Sequence, residues 1–161
     1  MTTSTPPAGP GLPDDPEAML RLGRELLAAQ PFSVLLGATL DDFSPGRALL
    51  SLPLTDRLLQ QHGYAHGGVV SYLADNAMTF AGGSVLGPAV VTAEYKINYL
   101  RPARGVRLRA LAEVVNAGQR LAVVRCTITA DAAGVGTGCA VAQGTIATIN
   151  GPPATAGAPS E

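Results

Sequence analysis

The chain has 161 residues, 47% of them apolar, and a formal net charge of −1. That length suits one domain with its own core, and so small a charge supplies no general attraction to nucleic acid or an anionic membrane. No apolar run approaches the ~18 residues of a membrane span, the first residues lack the basic-then-apolar plan of a signal peptide, and aromatics are too sparse for a base-stacking surface. A soluble cytoplasmic protein is the expectation.

Eight of the thirteen prolines lie in the two ends, so residues 1–14 and 151–161 read as disordered tails around a folded unit at 15–150. Asp14 or Asp15 can cap a helix that has Pro16 in its first turn and continues to about Gln30, where Pro31 ends it. Phe32–Leu40 and Arg47–Leu54 read as two strands joined through the turn-rich residues Asp41 to Gly46. Residues 55–65 are irregular.

After Gly68 the period becomes helical. Val70, Leu73, Ala74, Ala77, Met78 and Ala81 form one apolar stripe, and Gly82-Gly83 is the expected stop. At 100° per residue Asp75 lies about 130° from the centre of that stripe, so it should turn away from the sheet that the helix covers. Four strands follow near 89–99, 105–116, 119–131 and 138–149, with hairpin turns at Asn116-Ala117-Gly118 and Asp131 to Gly134. One helix on a six-stranded antiparallel sheet, with an N-terminal helix added, is an α+β layout.

The chemistry concentrates in Gly63-Tyr64-Ala65-His66-Gly67-Gly68 and the carboxylate of Asp75. Paired glycines at a helix start let the backbone approach a ligand and aim N–H groups at it, and the helix dipole adds positive potential there. A carboxylate nearby is a candidate base or nucleophile. Between residues 95 and 130, Lys96 and six arginines face one acid, Glu113. Guanidinium forks suit phosphate oxygens, but solvated strand faces would give the same pattern. Cys126 and Cys139 read as buried free thiols.

Three other motifs do not hold. His62 and His66 have the spacing of a zinc-binding helix, but the glycines around them make a poor helix and no third ligand is near. Ser71 lacks a nucleophile elbow. Gly134-Val135-Gly136-Thr137-Gly138 has no helix after it.

Gly63-x-x-His66-Gly67-Gly68 with Leu73-x-Asp75, then Tyr99-Leu100-Arg101-Pro102, Gly118-Gln119-Arg120 and Ala142-Gln143-Gly144-Thr145, resemble the hotdog-fold acyl-CoA thioesterases of the phenylacetate-pathway (PaaI-type) branch. The resemblance covers about residues 32–149. It implies a hotdog fold and hydrolysis of an aryl- or medium-chain acyl-CoA to free acid and coenzyme A. It also implies that the Gly67 N–H binds the thioester oxygen with help from Gln60. Asp75 would attack the carbon or activate water, and Thr92 would place that water. Family sites lie between two subunits, so a homodimer pairing into a homotetramer is implied. His66 then fixes the glycine loop beside Gly68, Thr79 reaches the substrate, and Arg101 and Arg104 are the candidates for the CoA phosphates. No metal or bound cofactor is required, coenzyme A being part of the substrate. The alternatives are a hotdog hydratase or dehydratase, which would want a catalytic histidine, and a non-catalytic acyl-CoA-binding regulator.

Overall fold

The computed structural model describes residues 6–132 and 134–149. The expected C-terminal tail, 151–161, lies outside the described residues. Helices α1 (Pro16–Ala28) and α2 (Pro31–Leu36) lead into strands β1 (Thr39–Ser44) and β2 (Arg47–Pro53). A short 3-10 turn (Asp56–Leu58) precedes the long helix α3 (Gly67–Leu86). Strands β3 (Val90–Tyr99), β4 (Arg107–Ala117), β5 (Leu121–Ala132) and β6 (Val135–Thr148) complete the chain. All six strands form one antiparallel sheet in the order β1-β2-β4-β5-β6-β3. This is the expected layout of one sheet around a central helix. No helix among the described residues is long and apolar enough to cross a membrane.

Alternation places the core. Leu108, Ala110 and Ala112 of β4, Val124, Cys126 and Ile128 of β5, and Ala140 and Ile146 of β6 are fully buried under α3. From the helix side the whole predicted stripe, Val70 to Ala81, is buried against them. Phe80 continues the core on the other flank, edge-on to Phe43 with ring centroids 5.5 Å apart. Helix α1, capped by Asp15 through a 2.7 Å bond from the Ala18 N–H, packs on β1. Both thiols are free and buried, and burial pushes Cys126 up to about 12.

Four expectations are corrected. Phe32–Leu36 is helical, because Pro31 opens α2 at its first position and Gly37, at φ 70°, closes it. The Asp41-Asp42 pair lies within β1, where Ser51 Oγ donates to Asp41 at 2.8 Å and Arg47 pairs with Asp42 at 3.0 Å; the turn shrinks to Pro45-Gly46. Gly82-Gly83 does not stop α3, which runs on to Leu86 and ends at Gly87, φ 98°. Residues 6–14 are not a loose tail: Gly9 is buried, its N–H donates to the Ser84 carbonyl at 2.8 Å, and Pro6 lies against Gly46.

Gly82 sets how closely α3 meets the sheet, since a Cβ there would sit 2.7 Å from the branched Cβ of Ile146. Alanine favours the helix by about 1 kcal/mol, but overpacking against a stiff side chain costs about 1–3 kcal/mol. Gly82→Ala should therefore lower stability by up to about 2 kcal/mol in a urea titration.

Candidate active site

The segment 58–68 is held by its own backbone. The His66 N–H donates to the Leu58 carbonyl at 2.8 Å, the Gln60 N–H to Tyr64 at 2.8 Å, and the Ala65 N–H to Ala103 at 3.0 Å. Gly63 takes the left-handed turn, φ 76°. His66 is the N-cap of α3, with φ −61° and ψ 136°, and its Nδ1 accepts from the Gly68 N–H at 3.0 Å. The histidine therefore acts on the helix entry, as its structural reading requires.

Gly67 is then the first helical residue, and its N–H has no hydrogen-bond partner among the described residues. It borders a cavity of about 460 Å³ together with Gln60, Tyr64, Val70, Tyr99 and Arg101. Gln60 spends its carbonyl oxygen on the His62 N–H at 2.8 Å, which leaves its amide NH₂ as the available donor. The Tyr99 hydroxyl donates to the Gly67 carbonyl at 3.0 Å and steadies the same turn. Sequence reasoning noted Tyr99 only as a landmark; an aromatic at a strand end beside a glycine-rich helix start is the signal available for it.

Asp75 lies two turns further on. It is half-buried, clear of the apolar stripe, and leans over the edge strand β3. Its Oδ1 accepts from Thr92 Oγ1 at 2.7 Å, and Thr92 lies 2.9 Å from Thr79 Oγ1. With the Thr92 proton on the carboxylate, Thr79 is the donor in that contact, sharing one proton between Thr92 and the Asp75 carbonyl at 3.0 Å. Oδ2 has no partner among the described residues. Asp75, Thr79 and Thr92 are thus brought together, whereas Gly67 and Gln60 are not beside them. Eight residues separate Gly67 from Asp75, about 12 Å along the helix.

The basic residues divide. Arg47 and Arg125 pair with Glu113 at 3.1 and 3.6 Å, and Arg109 with Asp131 at 3.5 Å, all on the sheet face away from α3. Arg101 and Arg104 are exposed and make no ion pair among the described residues. Arg101 borders the Gly67 cavity, and the Arg104 guanidinium stacks 4.2 Å over the Tyr64 ring.

Residues 62–137 match the thioesterase superfamily. The chain is 38% identical to a thioesterase family protein of Silicibacter pomeroyi, with 80% of this chain and 96% of that one covered and a TM-score of 0.76. The chain belongs to the thioesterase superfamily. A phenylacetic acid degradation protein PaaI of Thermus thermophilus, solved as a point mutant, is 30% identical over 74% of this chain and all of that one, TM-score 0.67. A Deinococcus radiodurans protein provisionally named an esterase is 39% identical over 101 residues, 62% of this chain and 68% of its own. The hotdog fold and the thioester-hydrolase class expected from the resemblance both stand.

His66 acts in this thioesterase chain as a cap, so another capping side chain should replace it. His66→Ala should cost about 1 kcal/mol in stability, and His66→Asn should recover most of it in the same denaturation experiment.

Proposed function

We propose that the chain hydrolyses aryl- or medium-chain acyl-CoA thioesters to the free acid and coenzyme A, in a site shared by two copies. The observation that carries this reading is the bond from Thr92 to Asp75 Oδ1 at 2.7 Å, which leaves Oδ2 without a partner among the described residues. Such a carboxylate is oriented, is not neutralised by any cation among the described residues, and has an oxygen to spare. Attack by Oδ2 on the thioester carbon, or on a proton of a water that attacks it, moves negative charge onto the carbonyl oxygen. Collapse then expels the CoA thiolate, a leaving group that needs no histidine relay; where Oδ2 is itself the nucleophile, water then hydrolyses the resulting acyl anhydride on Asp75 to release the acid.

The oxyanion requires a donor about 3 Å away. Within one chain the Gly67 N–H is about 12 Å along α3 from Asp75, so the donor serving a given Asp75 comes from a second copy. Gly67 supplies a fixed N–H at the positive end of the helix, and Gln60 adds an amide N–H from the same cavity. Arg101 and Arg104 stand at its exposed rim, where CoA phosphates would lie. The hydratase reading is disfavoured by one observation: His66 Nδ1 already accepts a backbone N–H.

Thiol release from a panel of acyl-CoAs tests the roles. Asp75→Asn should lower kcat by about 10²–10⁴-fold. Gly67→Pro, which suits the first helical position but lacks the N–H, should lower it by about 10²–10³-fold. Arg101→Ala and Arg104→Ala should raise KM for acyl-CoA but not for the same acyl group on pantetheine. Full activity of the Asp75→Asn protein, or no turnover by the wild type, would contradict the proposal.

A further inference from the structure

A second cavity, about 780 Å³, lies between the end of α1, helix α2 and the sheet edge formed by β1 and β2. It shares no lining residue with the Gly67 cavity, and it includes none of Asp75, Thr79 and Thr92. Its volume is within the range of small-molecule sites. One part of the wall is apolar: Leu27 and Ala28 from α1, Val34 from α2 and Pro53 from β2. Val34 is 60% exposed, apolar surface that the chain's own packing leaves uncovered.

The polar part is built on Ser51, which is fully buried. Its hydroxyl donates to Asp41 Oδ2 at 2.8 Å, and Thr39 Oγ1 donates to the other carboxylate oxygen at 3.0 Å. Two arginines border the same cavity and are fixed to this group. Arg24 Nε donates to the Leu40 carbonyl at 3.0 Å, and Arg107 Nη1 donates to Ser51 Oγ at 3.4 Å. Thr39 pairs with Ser51 across β1 and β2. The two anchors, Leu40 and Ser51, are therefore one residue out of register on neighbouring strands, roughly 6 Å apart. Neither guanidinium makes an ion pair among the described residues, and each keeps N–H groups that no described acceptor takes. Two guanidiniums against the one carboxylate on the wall, Asp41, leave one positive charge uncompensated.

We infer that this cavity binds an amphipathic carboxylate. Its oxygens take the free N–H groups of Arg24 and Arg107, and its alkyl chain lies over Val34 and Pro53 toward Leu27. The guanidinium fork matches a carboxylate in shape. A carboxylate also brings one negative charge, the amount the wall lacks, whereas a phosphate monoester brings about 1.5–2 at neutral pH. The inference stands apart from the acyl-CoA hydrolase reading, since neither arginine belongs to the site assigned to Gly67 and Asp75.

Calorimetric titration of the full chain with octanoate tests this, with octanol and octyl phosphate as comparison ligands. Octanoate should bind wild type at least tenfold more tightly than octanol and no less tightly than octyl phosphate. Arg24→Gln and Arg107→Gln should each weaken octanoate by about ten- to a hundredfold, the loss of one charged hydrogen-bonding partner. Ala28→Trp keeps both arginines and fills the cavity from the exposed last residue of α1, so it should weaken octanoate by at least tenfold. It touches none of the hydrogen bonds above and decides the matter even where an arginine variant does not fold.

Failure of octanoate to bind wild type, equal affinity for octanol, or tighter binding of octyl phosphate overturns the inference. So does octanoate affinity that survives unchanged in Ala28→Trp or in a folded arginine variant, which would place the bound acid elsewhere.

Discussion

The close approach of α3 to the sheet is the constraint on which the rest of the structure depends. Ala74, Ala77 and Ala81 on the helix and Ala110, Ala112 and Ala140 on the strands are all fully buried where α3 packs on the sheet, and Gly82 meets Ile146 with no room for a Cβ. Small residues on both sides remove slack, and packed interiors do not slide without loss of contact. The rotation and height of the helix are therefore fixed together. With them are fixed the N-terminus at Gly67, the lean of Asp75 over β3, and the place of Thr79 beside Thr92.

The proposed site thus draws on one helix at two different heights. Its first turn carries the donors: the Gly67 N–H, held by the His66 cap and the Tyr99 hydroxyl, facing a cavity with Gln60 and Arg101. Its third turn carries the carboxylate with Thr92. A reacting carbonyl must lie within about 3 Å of both its oxyanion donor and its nucleophile, whereas these turns are about 12 Å apart. In the proposed reaction neither half would be sufficient in one chain. A second copy in the opposite sense, bringing its first turn to the third turn of this one, would join them at two equivalent sites.

The central helix and most strands were legible because their periods are strong. Val70 to Ala81 fit one face of a helix, and Val106 to Val114 and Ala122 to Ala130 alternate as half-buried strands do. Four places were not legible, each for a local reason. Pro31 both stops α1 and starts α2, and the apolar run from Phe32 to Leu40 reads as a strand although its first part, to Leu36, is helical. Asp41 and Asp42 have turn chemistry, which cross-strand partners Ser51 and Arg47 override. Gly82-Gly83 resembles a helix stop, but Gly82 is there to admit Ile146. Pro6 to Asp14 have a tail's composition, and what holds Gly9 is a carbonyl far along the chain, that of Ser84. At the site, Asp75, Gly67 and Gln60 followed from motif spacing and resemblance. The Tyr99 hydroxyl did not, because tertiary packing alone brings it to the Gly67 turn.

The division of the site between two chains is the central claim, and mixing two inactive proteins tests it most directly. Asp75→Asn keeps the Gly67 donor and Gly67→Pro keeps the carboxylate. Unfolded together and refolded as an equal mixture, random pairing gives half mixed dimers, each with one site that unites the intact halves. The account predicts recovery of about a quarter of the wild-type rate of thiol release. A mixture no more active than the separate variants would contradict it and place acid and donor in the same chain.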